Sequence, residues 1–175
     1  MWKHDCAYSA FNQAYVCVQA RDRFDPFKCK RFTFKPAFVR DVTSQVVEKP
    51  YGSSLLRVSS KERTLIECIE RVEYAGGWEE CTKSLENLSG INFEKLINLA
   101  LSKKRKNLLA RTGYILELLR NRSPFYEHVN DSLLSRTASE LKGQPQYMVR
   151  GKKGRLNERW HLYIPDDFEE ELRGI

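Results

Sequence analysis

The hydrophobic period of this chain changes at residue 59, and that change narrows the folds open to it more than any other feature. Before it, apolar residues alternate. AYVCVQA (14–20) is short and β-branched, and KCKRFTFKP (28–36) sends Phe32 and Phe34 to one side and Arg31, Thr33 and Lys35 to the other. SSLLRVSS (53–60), behind the turn-like KPYGSS, is a third strand. From 59 onward the apolar steps are three and four residues. Ser59 and Glu62 fit a capping box, in which each side chain bonds an otherwise unpaired amide at the helix start. Leu65, Ile66, Ile69 and Val72 follow on one face. Trp78, Cys81, Leu85 and Leu88 mark a second helix. Asn92 caps a third, with Phe93, Leu96, Ile97 and Ala100 inward. A fourth runs from about Lys104 to Arg120, with Leu108, Leu109, Ile115, Leu116 and Leu119. Ser123-Pro124 reads as the cap and first position of a fifth, which would use Phe125, Val129 and Leu133.

At the far end the period returns to two. QYMVR (146–150) and ERWHLYI (158–164) read as a hairpin around the glycine-rich loop GKKGRLN, with Trp160, Leu162 and Ile164 on one face. Pro165 stops the strand, and DDFEEEL reads as a short acidic helical tail in which Asp166 and Asp167 are solvated. Strands at both ends with helices between predict one α+β domain over 1–175. Its antiparallel sheet would come from the N- and C-terminal segments and pack on a central layer of about five helices. Residues 1–58 would be mostly strands, 59–140 mostly helices, 145–165 a β-hairpin and 166–175 an acidic tail.

Between the first two helices stands YAGGWEE (74–80). A phosphate-binding loop places its glycines between a buried strand and a helix, commonly with a lysine at fixed spacing. Here they join two helices, and Glu79 and Glu80 would repel a phosphate while suiting the helix dipole. The pair reads as a joint, with Gly76 in the left-handed conformation of a helix C-cap.

Nothing else in the sequence points to catalysis. His4, His128 and His161 lack ligand-like spacing, and no GxSxG, HExxH or paired-Asp signature occurs, so no catalytic, metal or cofactor-binding residue is expected. Cys6, Cys17, Cys29, Cys68 and Cys81 form no CxxC pair and read as reduced thiols packed as small hydrophobes. Mean hydropathy is −0.57 and no apolar run approaches a membrane span. The first ten residues carry no signal pattern. A cytoplasmic protein without membrane association is the expectation.

Charge is the more informative property. The net +7 is uneven: residues 1–58 carry +5, 59–100 carry −3, 101–155 carry +9 and 156–175 carry −4. The sharpest cluster is Lys103, Lys104, Arg105 and Lys106 at a helix junction, with Arg111 further along the same helix. A second is Arg150, Lys152, Lys153 and Arg155. These nine residues are the candidate site, suited to DNA phosphates, another polyanion or an acidic partner surface without reading sequence. Neither cluster is interleaved with aromatic residues, so single-strand stacking finds little support there. A DNA-binding regulator using these patches on the phosphate backbone is one reading.

Another comes from a resemblance. RVSSKERTLIECIERVEYAGGWEE resembles the signature segment of the AbiEi family, antitoxins and transcriptional regulators of bacterial type IV, abortive-infection toxin–antitoxin systems. The matching residues are Val58, Ser59, Glu62, Thr64, Tyr74, Ala75, Gly76 and Gly77. ARTGYILELL (110–119) resembles the family's later R-x-G-Y-x-L-E helix through Arg111, Gly113, Tyr114, Leu116 and Glu117, and Gly113 would allow close packing of helices. GRLNERWHLYIP (154–165) is similar to the family's closing hairpin, with Asn157 and Trp160. Glu67 departs from the pattern, standing where an aspartate is common. Family members usually begin with a winged-helix domain that binds promoter DNA; this sequence begins just before the strand region. The resemblance therefore implies the C-terminal, antitoxicity-type module. It implies a non-enzymatic regulator active in phage defence that opposes a nucleotidyltransferase-like toxin, with no need of a stable complex between the two.

Overall fold

The computed structural model describes residues 4–10 and 12–172. The class is α+β. The chain divides into two compact units, Ser9–Ser60 and Met1–Tyr8 with Lys61–Ile175.

The Ser9–Ser60 unit holds two small sheets. β1 (Gln13–Val18), β2 (Phe27–Cys29) and β3 (Phe32–Phe38) form one in the order β1-β3-β2, with β1 parallel and β2 antiparallel to β3. Lys30 takes a positive φ in the tight β2–β3 turn, which breaks the single strand read over 28–36 into two. β4 (Val46–Tyr51) and β5 (Ser54–Ser59) make a separate hairpin. Its turn is closed by Gly52 at φ 59°, a conformation glycine adopts without a Cβ penalty. The local pattern KPYGSS suggests a turn over part of β4, because it contains Pro50. Proline is tolerated here because β4 is an edge strand.

In the second unit, residues 4–8 lie on the helices rather than in a strand. His4 Nε2 is 3.1 Å from Thr64 Oγ1, the Tyr8 amide donates to Ser84 Oγ, and Cys6 is buried. Five helices follow: α1 (Lys61–Glu70), α2 (Trp78–Glu86), α3 (Phe93–Ser102), α4 (Lys106–Arg120) and α5 (Asp131–Ser139). α4 is the hub. It packs against α1, α2, α3 and α5, and its Ala110, Ile115, Leu116 and Leu119 are fully buried with Leu65, Ile69, Leu85 and Ile97.

The Gly-Gly joint has the geometry expected of it. Gly76 (φ 89°) ends a 3-10 turn over Val72–Ala75, and Gly77 (φ 98°) starts α2. A side chain would be strained at both positions. Asn92 caps α3 by accepting from the Lys95 amide. Other boundaries differ from the sequence pattern. Ser59 closes β5, and the Glu62 carboxylate reaches across to accept from the Asn92 amide, which ties α1 to the start of α3. The fifth helix begins at Asn130, whose side chain accepts from Leu133 N. Ser123-Pro124 opens only a 3-10 turn (Pro124–Tyr126), and Phe125 is exposed. That turn instead closes the open end of α2, where Ser123 Oγ donates to Glu86 O and Tyr126 OH donates to Leu85 O, which also accepts from the Leu88 amide.

Among the described residues the C-terminal strands do not pair with the N-terminal ones, and three separate sheets stand where the sequence suggested one sheet drawn from both ends. β6 (Gln146–Tyr147) runs parallel to β8 (Leu162–Ile164), and β7 (Arg155–Asn157) pairs antiparallel with β8. The hairpin turn is therefore Glu158–His161, not GKKGRLN. Asn157 Oδ1 accepts from the Trp160 amide and His161 takes φ 45°, which folds the chain back one strand later than the glycines suggested. The acidic segment is also docked. Phe168, in the short α6 (Phe168–Glu171), is buried between Trp78 and Tyr114, and Leu172 is buried one turn on. Among the described residues no helix is long and apolar enough to cross a membrane.

Candidate functional site

The nine cations divide into two groups, those committed to the fold and those left free. Arg105 pairs with Glu70, and Lys106 Nζ donates to Lys142 O at 2.6 Å. Arg111 is the most constrained. Its Nε and Nη2 both donate to Tyr147 O (3.2 and 3.0 Å), and its guanidinium lies 5.7 Å from the centre of the Trp78 ring. Burial lowers its pKa and the nearby Arg105 charge acts in the same direction, opposed by Glu73. An arginine keeps its proton regardless, so the shift measures how far the surroundings disfavour the charge. Asn107, one turn before Arg111, donates to the same carbonyl at 3.0 Å. Two side chains on α4 thus hold the segment that leads to Arg150. Lys152 is paired with Glu171 at 2.9 Å, and that contact raises its pKa.

Lys103, Lys104, Arg150, Lys153 and Arg155 are solvent-facing and make no ion pair among the described residues. Lys103 is the C-cap of α3, and Lys104 turns the chain with φ 53°. These five, spread over the α3–α4 junction, the loop before β7 and the start of β7, are the cations available to a partner. The sequence does not separate them from the other four, because the deciding acceptors lie 19 to 36 residues away. One signal was legible: Phe168 and Leu172 stand four residues apart inside the acidic run, the spacing of a buried helical face.

Gly113, Glu117 and Trp160, three of the residues that carry the family resemblance, meet one another. The Trp160 ring covers Gly113, and a Cβ there would lie 2.5 Å from Trp160 Cη2 and nearer still to Cζ3 and Cε3. Trp160 Nε1 donates to Glu117 Oε2 at 2.6 Å, while Arg159 binds the other oxygen of the same carboxylate. Arg159 also reaches Ser135 Oγ and approaches Asp131, which accepts from Arg120 at 2.9 Å. Tyr114 OH bonds Glu169, and its burial, with the carboxylate beside it, raises the phenol pKa strongly. Val58 and Ser59 fall in β5, in the other unit.

Among the described residues no three His, Cys, Asp or Glu side chains gather to hold a metal ion. A depression beside Lys106, Gln146, Trp160 and His161 encloses about 10 Å³, the space of a single water. Scans of protein-family models, of curated proteins and of solved structures each return no match to this chain.

Proposed function

We propose that this chain is an antitoxin-like regulatory protein of the AbiEi type, acting in the cytoplasm against a nucleotidyltransferase-like toxin and carrying out no catalysis itself. The observation that carries the reading is the meeting of its motif segments. The 110–119 helix and the 154–165 hairpin resemble the family separately in sequence, and in space they interlock through Gly113, Trp160 and Glu117. α1, which carries Glu62 and Thr64 of the third segment, packs on the same helix. Residues chosen for a shared lock explain why such distant motifs occur together.

The test is growth rescue. The cognate toxin is expressed with this chain, with a Lys103→Glu/Lys104→Glu variant, and with a Lys153→Glu/Arg155→Glu variant. These positions leave the fold's own ion pairs intact. Rescue by the wild-type chain supports the reading, and its loss in either variant assigns the contact to that patch. Absence of rescue by well-expressed, folded protein overturns it.

A second reading is favoured by the five free cations: a regulator that holds DNA by its phosphates. Its affinity would fall steeply with salt, and each cation removed would reduce the slope by about 0.9. Duplex binding insensitive to salt would exclude it.

A further inference from the structure

The Ser9–Ser60 unit is short of a core. Among its described residues Ala37 is the one apolar side chain that is buried. On the three-stranded sheet, Val16, Phe27 and Phe38 are 39%, 51% and 45% exposed. The register places all three on one face: Phe27 pairs with Phe34 and Val16 with Pro36, and residues 34, 36 and 38 alternate to the same side of β3. The face is aromatic as well as apolar. Phe27 and Phe34 stack at 5.2 Å with their planes 15° apart, and Phe24 meets Phe27 edge-on at 5.7 Å.

Cations border this face. Residues 20–40 hold five phenylalanines, seven cations and two carboxylates. Lys28 and Lys35 leave by the opposite face. Arg21 and Arg23 lie in the β1–β2 connection, Lys30 and Arg31 in the β2–β3 turn and Arg40 just past β3, and all five are exposed. Arg31 lies 5.3 Å from the centre of the Phe32 ring. Along the sequence, rings and cations alternate here as they do in neither of the other basic clusters.

Three occupants could cover such a surface: a second copy of the chain, an apolar segment of another protein, or a polymer of flat rings joined by anions. A second copy would set one positively charged unit against another across the contact, since residues 1–58 carry +5. A neutral apolar segment leaves the surrounding cations unused. A single-stranded polynucleotide answers both features, with bases on the rings and phosphates on the rim. We propose that this face binds a single-stranded polynucleotide, stacking bases on Phe27 and Phe38 while Arg21, Arg23, Lys30, Arg31 and Arg40 hold its phosphates. The proposal is independent of the toxin reading, and growth rescue does not test it.

The experiment is fluorescence anisotropy of the full chain with a labelled oligouridylate, an oligothymidylate and a duplex of equal length, each over a salt series. The single strands are expected to bind about ten-fold or more tightly than the duplex. Phe27→Ala/Phe38→Ala should weaken them by about ten-fold or more. Phe27→Tyr keeps the ring and should retain binding, and Lys30→Glu/Arg31→Glu should flatten the salt slope. Both ring positions are exposed, and circular dichroism of each variant establishes that it is folded. Equal affinity for the two single strands supports stacking and phosphate contact alone, and a preference for oligouridylate adds contact with the 2′-hydroxyl. The proposal is overturned if the duplex binds as well as the single strands, or if losing both rings changes nothing. It also falls if no oligonucleotide binds at low salt, if anionic vesicles compete the oligonucleotide away, or if sedimentation shows self-association that Phe27→Ala abolishes.

Discussion

Replacing Gly113 with alanine puts two opposing effects at one position. Taken alone the helix should gain, since alanine is favoured over glycine in a helix interior by about 1 kcal/mol. The new methyl, however, would lie 2.5 Å from Trp160 Cη2 and closer to two other ring atoms, where carbon contacts are optimal near about 3.5–4.0 Å. The ring must therefore retreat by at least about 1 Å. It is fully buried with only a water-sized space beside it, too small for the ring to move into, and overpacking of this kind costs about 1–3 kcal/mol. Retreat also pulls Trp160 Nε1 from Glu117, and leaving that donor unmet adds about 1–3 kcal/mol. Overpacking and the lost bond together outweigh the helix gain, for a net loss of about 1–5 kcal/mol. Urea titration followed by tryptophan fluorescence measures it. The decisive comparison is a cycle with Trp160→Leu: once the ring is gone, Gly113→Ala should become neutral or stabilising. A Gly113→Ala protein as stable as wild type, or a penalty that persists without the ring, would refute the argument.

Three other outcomes are expected. Phe168→Ala removes a buried ring held between Trp78 and Tyr114 and should cost about 3–5 kcal/mol in the same titration, whereas a solvated tail would show no change. Asn92→Ala and Asn130→Ala each remove a helix cap and should each cost about 1 kcal/mol. Burial raises the thiol pKa values of Cys6, Cys68 and Cys81, that of Cys68 to about 11. An unfolded thiol ionises near about 8.5, so above that pH the unfolded chain releases protons that the folded chain keeps. Stability should be full below pH about 8.5 and fall as pH rises toward the folded values. Melting temperature against pH measures this, and Cys81→Ala should shallow the decline.

Local pattern carried much of this molecule. Helices α1 to α4, the Asn92 cap, the left-handed glycine at 76 and the strands read near 14–20 and 53–60 follow from apolar spacing and turn chemistry within a few residues, whereas the single strand read over 28–36 is two, split by the turn at Lys30. Gly113 was legible as a point of close approach, but what approaches it is the Trp160 ring from the β7–β8 turn rather than another helix. What local pattern could not supply was the partner of each face. Periodicity marks which side of an element is apolar, and nothing in it says that β6 lies parallel to β8, or that the two ends of the chain build separate sheets. Nor does it say that Phe168 draws an acidic segment onto Trp78. The basic clusters show the same division. Nine cations are alike in sequence, yet Glu70, Lys142, Tyr147 and Glu171 engage Arg105, Lys106, Arg111 and Lys152 and leave the other five to solvent. An ion pair depends on a separation of a few ångströms, and only the folded chain brings residues 19 to 36 positions apart to that distance.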